Sequence, residues 1–593
     1  MTSFRGEGAS QGIAIGPAFL LDAKVAVAER RVLRLDRAAE VAHLEEGINA
    51  ADEQLQRLQR QLPQGNVAGA ELVQAHRLML RSPEIAGESR RLILDECHAA
   101  EWAVTRALDN VRLVFSQIRD PYFRERGVDF EAVGERLIRA LLGLPELRAN
   151  IGARPGAIAV GIDLAPFDPF RMQGAGVIGL VSENGGKSSH TAIIARALDL
   201  PYVAGLKGLS GRIHPGTIII VDGARGDVVV DPSAEVQGVY RERAAAQRLR
   251  DERLLADKDQ PAVTTDGVSI GLSTNVESLL GVAAVAEAGG DGIGLFRTEF
   301  LYLERVDLPT EEEQYRDAVS VLSAVAGRPV TFRTLDLGGD KLPLSITMPR
   351  GPNPALGVRS LRFSLERPDI FRTQLRALYR ASASGPMRIM LPLVTSAVEL
   401  QRALAICAGV RASLAAEGIA YDTRLPVGIM IETPSAAVTA DLLAQHAQFF
   451  SLGSNDLIQY TCAADRDNAD VAHLQDPLQP AVLRLLKQTI DAAARAGIPI
   501  SICGDMAGNP LLTWLLLGLG LRDLSMEAHA IPAVKAIIRR SSMAEAEVLA
   551  KQALAAPNEQ EAARLIRAAM GPRFAAEFEA LQEHAPPPPA AAG

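Results

Sequence analysis

Cysteine is scarce in this sequence, and its four copies stand far apart. Cys97, Cys407, Cys462 and Cys503 form no CxxC pair within the 593 residues. Neither a disulfide framework nor a zinc knuckle is therefore indicated. Reduced thiols in the cytoplasm are the expectation.

A long hydrophobic run is also missing. The most apolar stretch, LLTWLLLGLGL at 511–521, is 11 residues long, whereas a membrane-spanning helix needs about 20. The N-terminal residues MTSFRGEGASQG lack the basic start and apolar stretch of a secretion signal. We therefore expect a cytoplasmic protein with no membrane insertion.

Clustered charge of one sign and abundant aromatic side chains are missing as well. The net charge of −9 is spread along the chain, which argues against nucleic acid as a partner, because nucleic acid is bound by clustered Lys and Arg. Aromatic residues make up only 4%, beside 48% hydrophobic and 22% charged residues, which is typical of a soluble globular protein. The length exceeds the roughly 300 residues at which one core stops growing, so several domains are expected.

The pattern of apolar and charged residues changes twice within the first 260 residues. Apolar side chains recur at steps of three and four from 38 to 62, and similar stripes continue to residue 144, which predicts about four antiparallel helices over 21–145. Short β-branched runs follow, and with the strand IAIGPAFLL near the N-terminus they predict a small α/β domain over 1–20 and 146–232. The charge-dense segment 233–262 predicts an exposed connecting helix.

The rest of the chain predicts a second kind of α/β domain. From 263 to 575, strand-like segments alternate with helices, the pattern of parallel βα units. Seven segments are clear, from VSIGLSTN to PISICG, and about eight units in all predict a C-terminal (β/α)8 TIM barrel in an α/β multidomain protein. The tail at 576–593 is mostly proline and alanine and is expected to be disordered.

One histidine stands where a strand passes into a helix. The segment ENGGKSSHTAIIARALDLPYVAG (183–205) runs through a glycine turn into a helix that begins near His190. Backbone donors and a helix N-terminus can receive a phosphoryl group there, and a neutral imidazole is a competent nucleophile. An ordinary turn followed by a helix-capping histidine fits the same residues, so the loop alone leaves both interpretations open.

Three arginines follow strands of the predicted barrel. Arg297 comes just past GIGLF, Arg333 just past VTF with Lys341 eight residues later, and Arg359 lies in NPALGVRSLR. Barrel active sites gather at the C-terminal ends of the strands, so these side chains would converge on one anionic ligand. Guanidinium groups match carboxylate and phosphate oxygens bidentately. Each arginine alone also fits a surface ion pair.

Two acids and a thiol occupy similar positions later in the barrel. Glu432 and Asp456 each end an apolar strand, one βα unit apart, and carboxylates at neighbouring strand ends make a Mg²⁺ site. Helix capping or pairing with the arginines is the alternative. Cys503 ends another strand, where a thiol can give a proton to a carbon acid, although inert buried cysteines are commoner.

These motifs together resemble one protein family. GGKSSHTAIIARALDLP resembles the phosphohistidine signature of enzyme I of the bacterial phosphoenolpyruvate-dependent phosphotransferase system. In the barrel, GLFRTEFLY, DLPTEEEQ, RTLDLGGDK, NPALGVR, IMIETPSA, SNDLIQYT, DRDN and CGDMAG follow in family order, so the resemblance covers residues 6–570. It implies phosphoryl transfer from phosphoenolpyruvate, with release of pyruvate, to a histidine of the enzyme and then to an HPr-type histidine phosphocarrier protein in sugar uptake.

The resemblance also implies roles for single residues and for domains. His190 is the implied phosphohistidine, Cys503 the proton donor, and Glu432 and Asp456 the Mg²⁺ ligands. By the same resemblance, the helical segment 21–145 is the docking site for the phosphocarrier, and the protein forms a homodimer through the barrel. The residues implied or predicted to bind phosphoenolpyruvate are Arg297, Arg333, Asn455, Asp456 and Arg466, with Arg359 and Lys341.

Two departures from the family and two rival functions stand beside this interpretation. Many members read CGE where this chain has Gly504 and Asp505, and the loop DLAPFDPF (163–170) has proline and phenylalanine where relatives often carry Ser or Thr, which leaves the hydrogen-bond partner of His190 open. A dikinase or synthase that makes phosphoenolpyruvate from ATP needs a nucleotide-binding domain, for which the chain has neither room nor motif. A nitrogen-related regulatory paralogue is the second rival.

Overall fold

The computed structural model describes residues 2–21, 27–61, 67–116, 121–144, 154–164, 168–186, 189–302, 307–337, 353–465, 468 and 471–574. The chain divides into two compact units, residues 1–249 and 250–593. Within these ranges no helix is both long enough and apolar enough to cross a membrane. The predicted disordered tail, 576–593, lies outside the described residues.

The strands of the first unit are β1 (Thr2–Arg5), β2 (Glu7–Ser10), β3 (Ile13–Leu20), β4 (Ile158–Gly161), β5 (Gly179–Ser182), β6 (Tyr202–Ala204), β7 (Ile218–Asp222) and β8 (Asp227–Val230). Those of the second unit are β9 (Gly271–Val276), β10 (Ile293–Arg297), β11 (Val330–Arg333), β12 (Met387–Leu391), β13 (Val427–Ile431), β14 (Phe450–Leu452), β15 (Ile500–Ile502) and β16 (Asp523–Met526).

The α-helices up to the boundary between the units are α1 (Arg37–Gln61), α2 (Val67–Leu80), α3 (Glu88–Glu96), α4 (Ala100–Ser116), α5 (Pro121–Leu141), α6 (Asp168–Gly174), α7 (His190–Ala197) and α8 (Ala234–Ala256). Those that follow are α9 (Ala283–Glu287), α10 (Glu311–Ala324), α11 (Ser360–Glu366), α12 (Pro368–Ala381), α13 (Ala397–Ala416), α14 (Pro434–Val438), α15 (Ala440–Leu443), α16 (Ser454–Cys462), α17 (Pro480–Ala496), α18 (Asp505–Gly508), α19 (Thr513–Leu519), α20 (Ile531–Arg539), α21 (Met543–Ala555) and α22 (Glu559–Met570).

An eight-stranded sheet forms the α/β part of the first unit. Its order is β1-β8-β7-β3-β4-β5-β6-β2, and β3 joins its parallel and antiparallel parts, because it pairs parallel with β4 and antiparallel with β7. The predicted N-terminal strand is therefore confirmed. Strands β1 and β2 were not predicted, because their segments TSFR and EGAS are too short and polar to show an alternating pattern.

The helices between β3 and β4 bury the predicted stripes. Helix α1 lies within one residue of the predicted span at each end, and Leu44, Ile48 and Leu55 are at most 1% exposed. They share a core with α2, α4 and α5. Helix α3 was not predicted, because the charged segment ESRRLILDE buries only Leu92 and Ile93 among its apolar side chains.

The second unit contains a closed barrel of eight parallel strands, in the order β9 to β16 and back to β9. The predicted (β/α)8 architecture is confirmed. The seven clear segments correspond to β9 to β15, and Cys503 follows the seventh of them, as predicted. The eighth strand, β16, was not located from the sequence; it closes the barrel between β15 and β9. Its segment DLSM was not predicted because it has only four residues, too few for a clear strand pattern.

Alternate residues of the barrel strands belong to different cores. On β13, Ile429 and Ile431 pack in the large cluster that includes the helices. Met430, which lies between them, packs with Leu295 and Cys503 in a small separate cluster. Because neighbouring side chains of a strand point to opposite faces, this small cluster fills the inside of the barrel.

Candidate active site

Most of the predicted site residues of the barrel lie at strand ends. Arg297 and Arg333 are the last residues of β10 and β11, Glu432 and Cys503 directly follow β13 and β15, and Asp456 lies in the first turn of α16, just after β14. In a parallel barrel these ends share one rim, so the strands themselves bring the groups together. Lys341 and Arg466 lie outside the described residues.

Arg333 is held inside the protein by two carboxylates. The residue is only 8% exposed, its Nη2 donates to Glu299 Oε1 at 2.9 Å, and its Nη1 lies 2.8 Å from Asp336 Oδ2. Burial alone would raise the pKa of Asp336, but the charges of Arg333 and Arg359 outweigh it and hold that pKa below its usual range. Both members of the Arg333–Asp336 pair are therefore charged.

Arg359 joins the same network from the start of α11. Its Nη2 donates to Asp336 Oδ1 at 3.0 Å, and its Nη1 lies 4.0 Å from Asp456 Oδ1. Arg297 has a partner of its own, Glu277. The ion pairs considered for the arginines thus exist, but those of Arg333 and Arg359 are buried at the rim of the barrel, not spread over the surface.

Several polar atoms at this rim are buried without a hydrogen-bond partner. They comprise two donors, Arg297 Nε and Arg333 Nε, and two acceptors, Glu299 Oε2 and Asp456 Oδ1. An unpaired buried polar atom is costly, so native proteins rarely keep one without a use. Donors and acceptors left open at one rim fit a ligand that has anionic oxygens and a cation.

The two predicted metal ligands have the chemistry that Mg²⁺ requires. Glu432 is 1% exposed, and its Oε1 accepts a hydrogen bond from the backbone N–H of Leu393 at 2.5 Å. Burial, and next the nearby charges of Asp456 and Asp336, raise the pKa of Glu432 to about 8. A divalent cation would relieve this repulsion, and oxygen ligands are those that Mg²⁺ prefers. The residues present therefore fit the ion.

Cys503 is a buried, neutral thiol. It is 4% exposed; Ser451 Oγ donates to its Sγ at 3.3 Å, and the Sγ lies 3.6 Å from the backbone carbonyl of Leu452. Burial raises the pKa of Cys503 to about 11, against smaller lowering effects of Ser451 and Arg333. At neutral pH the sulfur carries a proton, as a proton donor must.

The same rim contains polar groups that the sequence analysis missed. Asn275 Nδ2 donates to the Cys503 carbonyl at 3.0 Å. Asn455, by contrast, was among the predicted residues, and its Oδ1 accepts from the backbone N–H of Asp505 at 2.9 Å. Glu299 and Asp336 were also missed, although each lies two or three residues past one of the strand-end arginines, in FRTEF and RTLD. An acid so close to a strand-end arginine was the available signal.

The loop predicted to contain the nucleophile passes into a helix as expected. Helix α7 begins at His190, and the Oγ of the N-cap residue Ser189 accepts a hydrogen bond from the backbone N–H of Ala192. Thr191 Oγ1 donates to the Leu164 carbonyl at 2.8 Å, which ties the start of α7 to the loop after β4. Gly185 has φ +95°, a left-handed conformation that favours glycine in the turn.

One further group of potential metal ligands is present among the described residues. Glu40, His43 and Glu101 place one ligand atom each within 4.8 Å of the others. Arg30 already pairs with Glu101 at 2.8 Å and lies 3.6 Å from Glu40, and Glu40 also accepts from the backbone N–H of Ala100 at 2.8 Å. These contacts explain the group as the anchoring of α4 on α1.

Three family profiles match the chain. The profile of the PEP-utilising enzyme, N-terminal, matches residues 5–126; that of the PEP-utilising enzyme, mobile domain, matches 153–226; and that of the PEP-utilising enzyme, PEP-binding domain, matches 251–543. The second range contains His190, and the third contains every barrel residue of the rim described above.

Curated relatives match over nearly the whole chain. A phosphoenolpyruvate-protein phosphotransferase of Cupriavidus necator is 42% identical over 575 residues, which cover 93% of this chain and 97% of the relative. The protein of that name from Bacillus subtilis is 38% identical, with 96% and 99% covered. The one from Haemophilus influenzae is 37% identical, with 94% and 97% covered.

Proposed function

Since the chain belongs to the phosphoenolpyruvate-protein phosphotransferase (enzyme I) family, we propose that it moves the phosphoryl group of phosphoenolpyruvate to its own His190 and then to an HPr-type phosphocarrier protein, releasing pyruvate. The observation that carries the proposal is the set of open donors and acceptors at the barrel rim, between buried arginines and acids. Phosphoenolpyruvate has a carboxylate and a phosphate, the two groups that guanidinium forks bind best.

The arginines of the barrel rim are the residues proposed to bind the substrate. Arg297 and Arg333 each have an Nε–H without a protein partner, and Arg359 adds a third positive charge 4.0 Å from Asp456. Asn455 and Arg466 join the proposed set by resemblance, and Lys341 joins it because it follows the strand-end Arg333 in the sequence. The positive charges of the arginines and of Lys341 hold the phosphoryl group in place and stabilise the negative charge that develops as it leaves.

Glu432 and Asp456 are the residues proposed to hold Mg²⁺. When bound there, the ion supplies positive charge to the phosphoryl oxygens. Without the ion, Arg333 and Arg359 face four carboxylates at the rim. Two are Glu432 and Asp456, and the other two, Glu299 and Asp336, pair with these arginines. This excess of acid supports a divalent cation as part of the working site.

The reaction balances with the groups present. A nitrogen of His190 attacks phosphorus, the N–P bond forms, and the bond between phosphorus and the enol oxygen breaks, with its electron pair going to the enolate. The Cys503 thiol then gives its proton to the terminal carbon of the enolate, which yields pyruvate. The thiolate regains a proton from solvent before the next turnover.

The proposal is tested by incubating the full chain with ³²P-phosphoenolpyruvate and Mg²⁺. We expect an acid-labile, base-stable label on the wild type and none on His190→Ala. The matched control is His214→Ala, which removes an exposed histidine of the same unit and should leave labelling unchanged. Equal labelling of the His190 variant would disprove the assignment.

The acceptor, the assembly and the location are further parts of the proposal. Helices α1 to α5 are proposed to dock the phosphocarrier, the barrel to form a homodimer, and the protein to act in the cytoplasm in sugar uptake. A nitrogen-type regulatory role is the alternative. Pull-down with sugar-type and nitrogen-type carriers decides between them.

Sedimentation with and without Mg²⁺ and phosphoenolpyruvate checks the dimer, and a monomer under both conditions contradicts it.

A further inference from the structure

Asp336 contacts two of the arginines of the barrel rim at once. Its Oδ2 lies 2.8 Å from Arg333 Nη1, and its Oδ1 accepts from Arg359 Nη2 at 3.0 Å. Arg333 comes from the end of β11 and Arg359 from the start of α11. A single carboxylate therefore sets the distance between two guanidinium groups that come from different elements.

Asp336 is itself fixed on both sides. Its backbone N–H donates to Glu299 Oε1 at 3.0 Å, and the hydroxyl of Ser360 donates to its Oδ1. Ser360 is fully buried and has φ +53°, in the left-handed region that non-glycine residues rarely adopt. Such a conformation persists only where the surrounding structure demands it, and here it accompanies the Ser360 hydroxyl bond to Asp336.

Glu299 completes the restraint on Arg333. The Oε1 that accepts from the Asp336 backbone also accepts from Arg333 Nη2 at 2.9 Å, so both terminal nitrogens of the guanidinium are engaged by acids. The Nε–H is left without a partner. The guanidinium can therefore neither rotate nor withdraw, and its remaining donors keep one direction.

We infer that Asp336 is a positioning residue, which holds Arg333 and Arg359 at one spacing so that their free N–H groups meet the oxygens of phosphoenolpyruvate. The inference rests on the proposed function and goes beyond it, because Asp336 contacts neither the substrate nor the metal in this scheme. A purely structural ion pair is the alternative, in which Asp336 only neutralises buried charge.

Asp336→Asn distinguishes these roles, because it keeps the size of the side chain and removes the charge that orients the arginines. The rate of His190 labelling is measured over a range of ³²P-phosphoenolpyruvate concentrations at saturating Mg²⁺. We expect kcat/KM to fall about 100-fold, the order of loss that a misplaced binding group causes. In an Arg333→Met background the same change should cost less than about tenfold, because one of its two targets is gone.

The controls separate the possible failures. Asp369→Asn removes an aspartate that also pairs with an arginine, Arg367, but on the surface of α12; its labelling rate should equal that of the wild type. If the wild type is not labelled, the proposed function fails. If the wild type is labelled and Asp336→Asn matches it, or if the loss is equally large in the Arg333→Met background, the positioning role is wrong.

A second variant covers the case in which Asp336→Asn does not fold. Ser360→Ala removes only the hydroxyl that restrains the carboxylate. We expect a several-fold fall in kcat/KM with a thermal unfolding temperature close to that of the wild type. An unchanged kcat/KM in this variant overturns the inference.

Discussion

At the scale of single residues, the barrel rim combines groups whose chemistry depends on burial. Cys503 illustrates this, because its buried environment raises the pKa of the thiol to about 11. At pH 8 only about one molecule in a thousand then carries the thiolate, which is the form that alkylating reagents attack. The same property that suits a proton donor makes the sulfur unreactive as a nucleophile.

Alkylation tests this environment. With iodoacetamide at pH 8, we expect the half-buried Cys97 and Cys462 to react before the buried Cys407 and Cys503, and the reaction at Cys503 to quicken as the pH rises toward 11. Mass spectrometry of the peptides gives the order. All four should react at similar rates in denaturant, and early modification of Cys503 in the native protein would contradict the buried, neutral thiol.

The proposed metal ligands give a second prediction at this scale. Glu432→Gln removes one of the two carboxylates proposed for Mg²⁺ and should raise the Mg²⁺ concentration needed for half-maximal labelling of His190 by roughly 10- to 100-fold. A chelator should abolish labelling of the wild type. Glu399→Gln, which changes an acid at the start of α13, serves as the control. An unchanged Mg²⁺ requirement in Glu432→Gln would remove Glu432 from the metal site.

The sequence predicted the strand-end residues of the rim but not the acids that pair with its arginines. Arg297, Arg333, Glu432 and Cys503 were predictable because strand periodicity shows where each strand ends, and a barrel gathers those ends. Asp336 and Glu299, which pair with the buried Arg333, were not predicted. Asp336 reaches Arg359 across 23 positions of chain, and such a pairing depends on tertiary geometry that no local pattern encodes.

At the scale of elements, an ion-pair network joins three helices on the outside of the barrel. Arg376 of α12 donates to Glu311 of α10 at 2.7 Å, and with both terminal nitrogens to Glu417, which follows α13, at 2.7 and 2.8 Å. The Ser413 hydroxyl also donates to Glu417 at 2.6 Å. The hydrogen bonds from Arg376, and next from Ser413, lower the pKa of Glu417 to about 2.

This shift predicts a pH-dependent effect of Glu417→Gln. A carboxyl whose pKa is lower in the folded than in the unfolded state stabilises the fold above its unfolded value, and loses that effect as the pH falls through the folded value. Because Glu417 is exposed and solvent screens its ion pair, the variant should unfold only about a degree lower at pH 7, and the difference should shrink from about pH 4.5 toward pH 2. Thermal unfolding between pH 7 and pH 3 measures it, and a difference that stays constant would refute this explanation.

Elements were predictable where their periodicity is long. The 25-residue α1 was found to within a residue at either end, because a stripe over several turns has few alternative readings. The four-residue β16 was missed, and it exists because its neighbours β15 and β9 supply the hydrogen bonds that close the barrel. Short elements are stabilised by the fold around them more than by their own residues.

At the scale of the whole molecule, the proposed nucleophile and the proposed substrate site belong to different compact units. His190 lies in the unit of residues 1–249, and the barrel rim lies in the unit of residues 250–593. Helix α8, which spans the boundary, contains no buried residue, so its backbone is supported by few tertiary contacts and should open locally more readily than the cores on either side.

Limited proteolysis of labelled protein tests this division and the direction of transfer together. After labelling of the intact chain with ³²P-phosphoenolpyruvate and Mg²⁺, brief trypsin treatment should cut first at the arginines of α8, between residues 241 and 253, and leave two stable fragments. The N-terminal fragment should carry all of the label, although the substrate is bound by the C-terminal one, because the phosphoryl group has left the barrel for His190. Label on the C-terminal fragment would mean that the stable phosphoryl acceptor lies in the barrel. First cuts inside either compact unit would show instead that α8 is not the weakest segment of the chain.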